Sequence, residues 1–209
     1  MRSLPELFVL RHGETEWNRA GRFQGERDSP LTGLGRAQAE ALGRLLAAEG
    51  VSGRSHLARA SPQGRAVETA RLALAPLGVE AVHDPRLAEI AMGGWTGLSR
   101  GEVDRSWPPV EGEGVLGFYA RCPGGERLEA VAARVEALLA EVEGPTVLVT
   151  HGVTLRVLCA LAMGLPVGAA EGIRVPQGSL ARLRDGGLAV MSPPLPAFNP
   201  EARPPATGG

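Results

Sequence analysis

The sequence predicts a three-layer α/β/α sandwich with a mostly parallel central sheet and an antiparallel edge hairpin. Two short apolar runs carry most of that reading. Leu7-Phe8-Val9-Leu10 passes directly into Arg11-His12-Gly13, and Thr146-Val147-Leu148-Val149-Thr150 passes directly into His151-Gly152. Such runs read as strands buried on both faces, as in parallel sheets covered by helices. Helical and strand patterns alternate between and after them, and the chain closes on a hairpin signal, which together describe a sheet wrapped by crossover helices. In open sheets of this kind ligands bind beyond the carboxyl ends of the strands, so both histidines are candidates for one shared cleft.

Glu14 to Pro30 is polar and arginine-rich (Arg19, Arg22, Arg27), with Gly21 and Gly25 interrupting any helical period, and is expected to be a long loop over the site. Thr32 reads as an N-cap, and Leu34, Ala37, Ala41, Leu42 and Leu45 recur at helical spacing until Gly50 stops the helix. His56 to Ala60 reads as a short strand. Ser61 and Pro62 read as the cap and first position of a helix over 62–76, with Arg65 in its first turn. Val79 to His83 is a further strand, after which the chain reaches Glu89 and Gly93-Gly94-Trp95-Thr96-Gly97. Ser99 with Glu102 resembles a capping box that opens a short helix. Residues 107–125, rich in Pro and Gly, specify little.

Leu128, Val131, Ala132, Val135, Leu138, Leu139 and Val142 form the apolar stripe of the clearest helix, which feeds the strand ending at His151. Thr154 to Met163 is apolar enough for a buried helix, closed by Gly164 and Pro166. Ser179 to Leu183 and Leu188 to Ser192, joined through Asp185-Gly186-Gly187, read as the edge hairpin. Residues 1–192 are therefore expected to be a single domain. Residues 193–209 hold six prolines and suit neither helix nor central strand. Such a tail is expected to dock as an extended strap on its own subunit or on a neighbour, an arrangement compatible with a homodimer.

At 209 residues, 44% hydrophobic, with a net charge of -1, the chain can bury one sizeable core. All 22 basic residues are arginine, which excludes Schiff-base chemistry, a lysine general base and a lysine-bearing phosphate loop. The near-neutral balance argues against a nucleic-acid surface but leaves room for a small anion held locally by arginines. Cys122 and Cys159 lack metal-ligand spacing and no charged-then-apolar leader opens the chain, so two free thiols in a reducing cytoplasm are expected. No apolar stretch approaches the roughly 20 residues of a membrane span.

A lone histidine among apolar residues is more often a hydrogen-bonded core residue than a catalyst, and His56 and His83 read that way. His12 differs in its company: Arg11 beside it, a second strand-end His-Gly at 151, and Arg65 and Glu89 where strands meet loops or helices. Metal binding is the obvious competing use. Yet there is no His-x-His, no His-Glu-x-x-His and no cysteine pair, and each candidate ligand has an arginine nearby that would repel a cation. The same arginines suit the oxygens of a phosphoryl group.

Arg11-His12-Gly13-Glu14-Thr15 with Trp17-Asn18, Phe23-Gln24-Gly25, Leu31-Thr32 and Gly35, then Ser61-Pro62 with Arg65-Ala66 and Thr69-Ala70, resembles the histidine phosphatase superfamily, the phosphoglycerate mutase-like clan. Glu89 before Gly94-Trp95-Thr96-Gly97, Pro123-Gly124-Gly125-Glu126 and Thr150-His151-Gly152 complete the series, which runs from residue 7 to about 183. The chain departs from it at Arg127, where a serine is often found. The resemblance implies a phosphoglycerate mutase-like fold and a metal-independent reaction without a cofactor. In it, His12 attacks phosphorus to form a phosphohistidine and Glu89 protonates the leaving oxygen. It further implies that Arg11, Arg65, His151, Asn18 and Gly152 surround the phosphate, while Gln24 and Gly25 border the substrate. Splitting the reaction in two lets Glu89 act first as acid and then as base, provided that it starts protonated, which nearby substrate charge would favour.

Phosphatases and mutases of the family share that phosphohistidine. Mutases typically carry a longer segment between the positions of Glu89 and His151, with lysine among its basic residues, and usually have threonine and asparagine where this chain has Gln24 and Val153. The expectation is therefore phosphomonoester hydrolysis of a small phosphorylated metabolite. A cofactor-dependent phosphoglycerate mutase is the nearer alternative and a non-catalytic phospho-ligand binder the further one.

Overall fold

A computed structural model describes residues 4–194. β1 (Leu7–Arg11) and β4 (Thr146–Thr150) form the centre of a six-stranded sheet of order β3-β2-β4-β1-β5-β6. β2 (Leu57–Ala60) and β3 (Ala81–His83) extend it in parallel on one side. On the other side β5 (Leu180–Arg184) runs antiparallel to β1 and pairs with β6 (Gly187–Met191) in a hairpin. Alternate residues of the central strands feed two cores. Leu7, Val9 and Leu148 pack with α6 (Leu128–Ala140), α7 (Gly152–Ala162) and the segment around Trp95 and Phe118. Phe8, Leu10, Val147 and Val149 pack with α2 (Gly33–Ala48) and α3 (Gly64–Leu74). Full burial of both faces explains why these strands are apolar without alternation.

Four segments depart from the sequence reading. The expected loop over 14–30 contains a one-turn helix, α1 (Glu16–Arg19), fixed by a reciprocal capping box between Thr15 and Asn18. α3 starts at Gly64 with Gln63 at its N-cap, because the Ser61 hydroxyl is used elsewhere. The 107–125 stretch, after α4 (Arg100–Ser106) and its Ser99–Glu102 capping box, forms α5 (Val115–Ala120). Two backbone N–H groups at its start, those of Val115 and Leu116, donate to the Glu171 carboxylate (2.6 and 2.8 Å), a long-range cap no local pattern announces. Finally, α7 begins at Gly152, directly after the histidine.

Arg127 occupies the N-cap of α6 without a side-chain cap bond, where a serine would supply one worth about 1 kcal/mol. The expected proline-rich tail lies, from residue 195 onward, outside the described residues.

Candidate active site

Arg11 stands opposite Thr150 in the β1–β4 register, so His12 and His151 leave the sheet side by side, their ring centroids 5.0 Å apart. His12 is 3% exposed, and its Nδ1 lies 2.8 Å from the Gly13 carbonyl. A carbonyl can only accept, so Nδ1 carries the proton and Nε2 keeps its lone pair. Gln177 Nε2 donates to the His12 and Gly13 carbonyls (2.6 and 3.1 Å) and steadies both. Gly13 is required by a backbone crossing rather than by a ligand: a Cβ there would collide with the Gly35 carbonyl, and its φ is not positive.

His151 is fully buried. Arg65 Nε donates to its Nδ1 at 3.1 Å, which leaves the proton on Nε2, 2.8 Å from the Ser61 hydroxyl. Ser61 donates onward to Gln63 Oε1 at 3.3 Å. Both ring nitrogens therefore have protein partners, and His151 stands behind the cleft as a brace for Arg65. Burial, followed by the Arg65 and Arg11 charges, holds the His12 pKa well below the ordinary 6.5. Burial, Arg65 and His12 do the same for His151. Both rings are neutral at pH 7.

Arg65 donates through Nη1 to the Arg27 carbonyl (2.7 Å) and Asp28 Oδ1 (3.1 Å), and through Nη2 to the Gly25 carbonyl (2.9 Å). One Nη2 proton remains for a ligand. Gly25 has φ 52° and approaches Met92 so closely that a Cβ would sit 2.7 Å from its amide nitrogen, so only glycine presents that carbonyl. Arg11 Nη1 donates to the Val175 carbonyl (2.8 Å), while its buried Nε has no partner among the described residues. Burial lowers the Arg11 pKa and Glu89 opposes it. The guanidinium rests against Gly152, where a Cβ would stand 3.1 Å from Nη2.

The Asn18 Oδ1 accepts from the Thr15 backbone and hydroxyl (3.1 and 3.0 Å), which leaves its NH₂ as a donor. Gln24 is buried with Oε1 unpartnered among the described residues. Glu89 lies at the N-terminus of α7: Oε1 accepts from Ile90 N (3.1 Å) and Thr154 N (3.2 Å), and Oε2 from Val153 N (3.3 Å). Thr150 and Thr154 hydroxyls anchor the carbonyls of Leu87 and Ala88, both at 2.6 Å, and so fix the loop that carries Glu89.

Arg11, His12, Asn18, Gln24, Gly25, Arg65 and Glu89 border one cavity of about 80 Å³, whereas His151 and Gly152 support it from behind. Sequence reasoning missed Tyr119, which reaches this cavity from α5, and gave no individual role to Arg22, which lies at the rim bonded to the Gly97 carbonyl (2.7 Å). Phe23 borders the cavity as well, while Trp95 is wholly buried beneath it. Among the described residues no three His, Cys, Asp or Glu side chains cluster as a metal site, and no helix is long and apolar enough to cross a membrane.

A neutral imidazole with a free Nε2, flanked by two buried guanidinium groups and facing a carboxylate, defines a class of α/β protein built around one histidine at a parallel strand end. The chain belongs to the histidine phosphatase superfamily (branch 1), whose family model matches residues 7–187. It is 35% identical over 187 residues to a curated protein of Enterobacter sp. (strain 638) named "Probable phosphoglycerate mutase GpmB", a match covering 85% of this chain and 84% of the relative. Among solved structures it is similar to a mycobacterial glucosyl-3-phosphoglycerate phosphatase complexed with VO3, at 30% identity and TM-score 0.76, covering 91% of this chain and 100% of the other. It is also similar to the alpha-ribazole phosphatase from Shigella flexneri, at 26% identity and TM-score 0.72, covering 93% and 100%.

Proposed function

We propose that this chain is a metal-independent phosphomonoesterase that acts through a phosphohistidine on a small phosphorylated metabolite, in the cytoplasm and without a cofactor. The observation that carries the reading is the tautomer of His12, whose Nδ1–H is committed to the Gly13 carbonyl so that Nε2 faces the arginine-lined cavity as a nucleophile. Nε2 attacks phosphorus, the N–P bond forms as the ester P–O bond breaks, and Glu89 gives its proton to the departing oxygen. Water then attacks the phosphohistidine and loses a proton to Glu89, and the N–P bond breaks to restore the imidazole. Arg11 and Arg65 hold the equatorial oxygens throughout, fixed in place before the charge moves.

The phosphatases among the similar structures support hydrolysis, and VO3 in one of them fits a site that favours phosphoryl-like oxyanions. The curated relatives' name favours a second reading, phosphoryl transfer to 3-phosphoglycerate. Rapid acid-sensitive trapping of labelled enzyme, followed by a chase, tests both. The label is expected on His12, absent in His12→Ala, and lost to water at the same rate with or without 3-phosphoglycerate. Faster loss to the phosphoglycerate would make the chain a mutase, and no turnover of any ester would make it a binder.

A further inference from the structure

Gln63 stands at the N-cap of α3, where a side chain ordinarily turns back onto the first amides of its own helix, yet it makes no cap bond. Its Oε1 accepts from the Glu89 backbone N–H at 2.9 Å, and its Nε2 donates to the Gly25 carbonyl at 2.8 Å. These partners fix the orientation of the amide, since a backbone N–H can only donate and a carbonyl can only accept. Oε1 also takes the Ser61 hydroxyl proton at 3.3 Å, and the Gly25 carbonyl also accepts from Arg65 Nη2 at 2.9 Å.

Followed from donor to acceptor, the bonds close into a ring. Arg65 Nε donates to His151 Nδ1, His151 Nε2 to Ser61, Ser61 to Gln63, and Gln63 to the Gly25 carbonyl, where the other side of the same guanidinium meets it. Members of such a ring polarise and orient one another. The backbone of Glu89 joins the ring at Gln63, whereas its carboxylate is aimed from α7 by the Val153 and Thr154 N–H groups. Gln63 is not among the residues that border the cavity, so any part it plays is exerted through these neighbours.

We propose that Gln63 is a positioning residue that holds the Glu89 segment and the Arg65 guanidinium in one fixed relation, so that proton delivery and phosphoryl binding are satisfied by the same substrate pose. This rests on the phosphatase reading above, which makes Glu89 the acid and Arg65 a phosphate ligand. The demand is strict, because a misplacement of about 1 Å can cost on the order of 10²-fold in rate.

Two variants separate the two ends of the amide. Gln63→Met keeps the length and removes both bonds, whereas Gln63→Glu keeps an acceptor for the Glu89 N–H and sets an oxygen against the Gly25 carbonyl. Turnover of an alkyl phosphate is read against that of p-nitrophenyl phosphate, whose leaving group needs little protonation, and orthophosphate affinity is read by calorimetry. In Gln63→Met the alkyl ester is expected to lose about 10-fold more in kcat than the nitrophenyl ester, and orthophosphate affinity to fall a few-fold. In Gln63→Glu the ratio of the two esters is expected to stay near that of the intact protein, because the added charge bears on both esters alike. Gln63→Asn, one methylene too short to span both partners, is expected to follow Gln63→Met and carries the test should the methionine variant fail to fold. An unchanged ester ratio in a folded Gln63→Met or Gln63→Asn, or a ratio displaced equally in Gln63→Glu, would overturn the positioning role. An intact protein that hydrolyses neither ester would overturn the phosphatase reading instead, and the orthophosphate affinity of Gln63→Met then decides by itself whether Gln63 holds Arg65.

Discussion

Replacing Glu89 with glutamine separates its chemistry from its structural role, because the two costs differ in size. Three backbone N–H groups converge on the carboxylate, two on Oε1 and that of Val153 on Oε2. Glutamine keeps one acceptor, which suits Ile90 and Thr154, and turns its NH₂ against the Val153 N–H. One hydrogen bond is lost at a half-buried site that water can reach, a cost of about 1 kcal/mol, or about 2–4 °C in Tm for a domain of this size. Loss of general acid catalysis is far larger, about 10²- to 10⁴-fold in rate, or about 2.7–5.4 kcal/mol. The assay compares Glu89→Gln with the intact protein on an alkyl phosphate and on p-nitrophenyl phosphate, whose leaving group needs little protonation. The alkyl ester is expected to lose the full factor and the nitrophenyl ester much less. Equal losses on both substrates would show that Glu89 only binds or braces. The nearest alternative, Glu14, is turned away toward the Thr32 hydroxyl at 2.8 Å.

Gly152→Ala places a Cβ 3.1 Å from Arg11 Nη2 and must displace that guanidinium, so affinity for orthophosphate, read by calorimetry, is expected to fall about 10-fold with little change in Tm. Vanadate is expected to inhibit competitively and more tightly than orthophosphate binds, as a mimic of the transferring group, and a chelator is expected to leave the rate unchanged. Acid stability follows from His12 and His151, whose folded pKa values lie below the ordinary 6.5. Under these conditions the unfolded chain takes up protons that the folded one refuses, so their contribution is whole above pH 6.5. It is lost as pH falls toward the folded values, at about 1.4 kcal/mol per pH unit for each ring. Urea unfolding at pH 7.0 and 5.5 reads it, and a His12→Asn variant is expected to show roughly half of the slope.

Elements with strong local periodicity were legible in the sequence: the stripe from Leu128 onward, Thr32 as an N-cap, the box at Ser99 and Glu102, and both central strands. His12, Arg11, Arg65 and Glu89 were legible because strand ends and helix starts place them, and strand ends are what apolar runs reveal. Tyr119 was not. It sits on a six-residue helix whose start is capped by Glu171, far along the chain, and no window of local sequence contains that bond. Ser61 misled for a related reason, since a serine before a proline reads as a cap whereas its hydroxyl is spent on a histidine ninety residues away. Gln177, which donates to the His12 and Gly13 carbonyls, gives no local signal at all.

The cleft is assembled from two sources of very different rigidity. Its floor is backbone: adjacent strand ends in register, a helix start, and carbonyls that lock the guanidinium groups. Its roof is side chains: Phe23 and Phe118 pack against Trp95, Tyr119 meets Phe23 and Phe118 edge-on, and Arg100 and Arg121 lie across the Phe118 and Trp95 rings. Aromatic and cation–π contacts of this sort tolerate exchange of one ring for another at modest cost. Under the proposed function, the segment over the cavity can therefore change while Arg11, His12 and Arg65, held by backbone, stay in place. Such a scaffold invites redesign from above: under the proposed function, a graft confined to residues 107–121 is expected to change which ester is accepted without touching Arg11, His12 or Arg65.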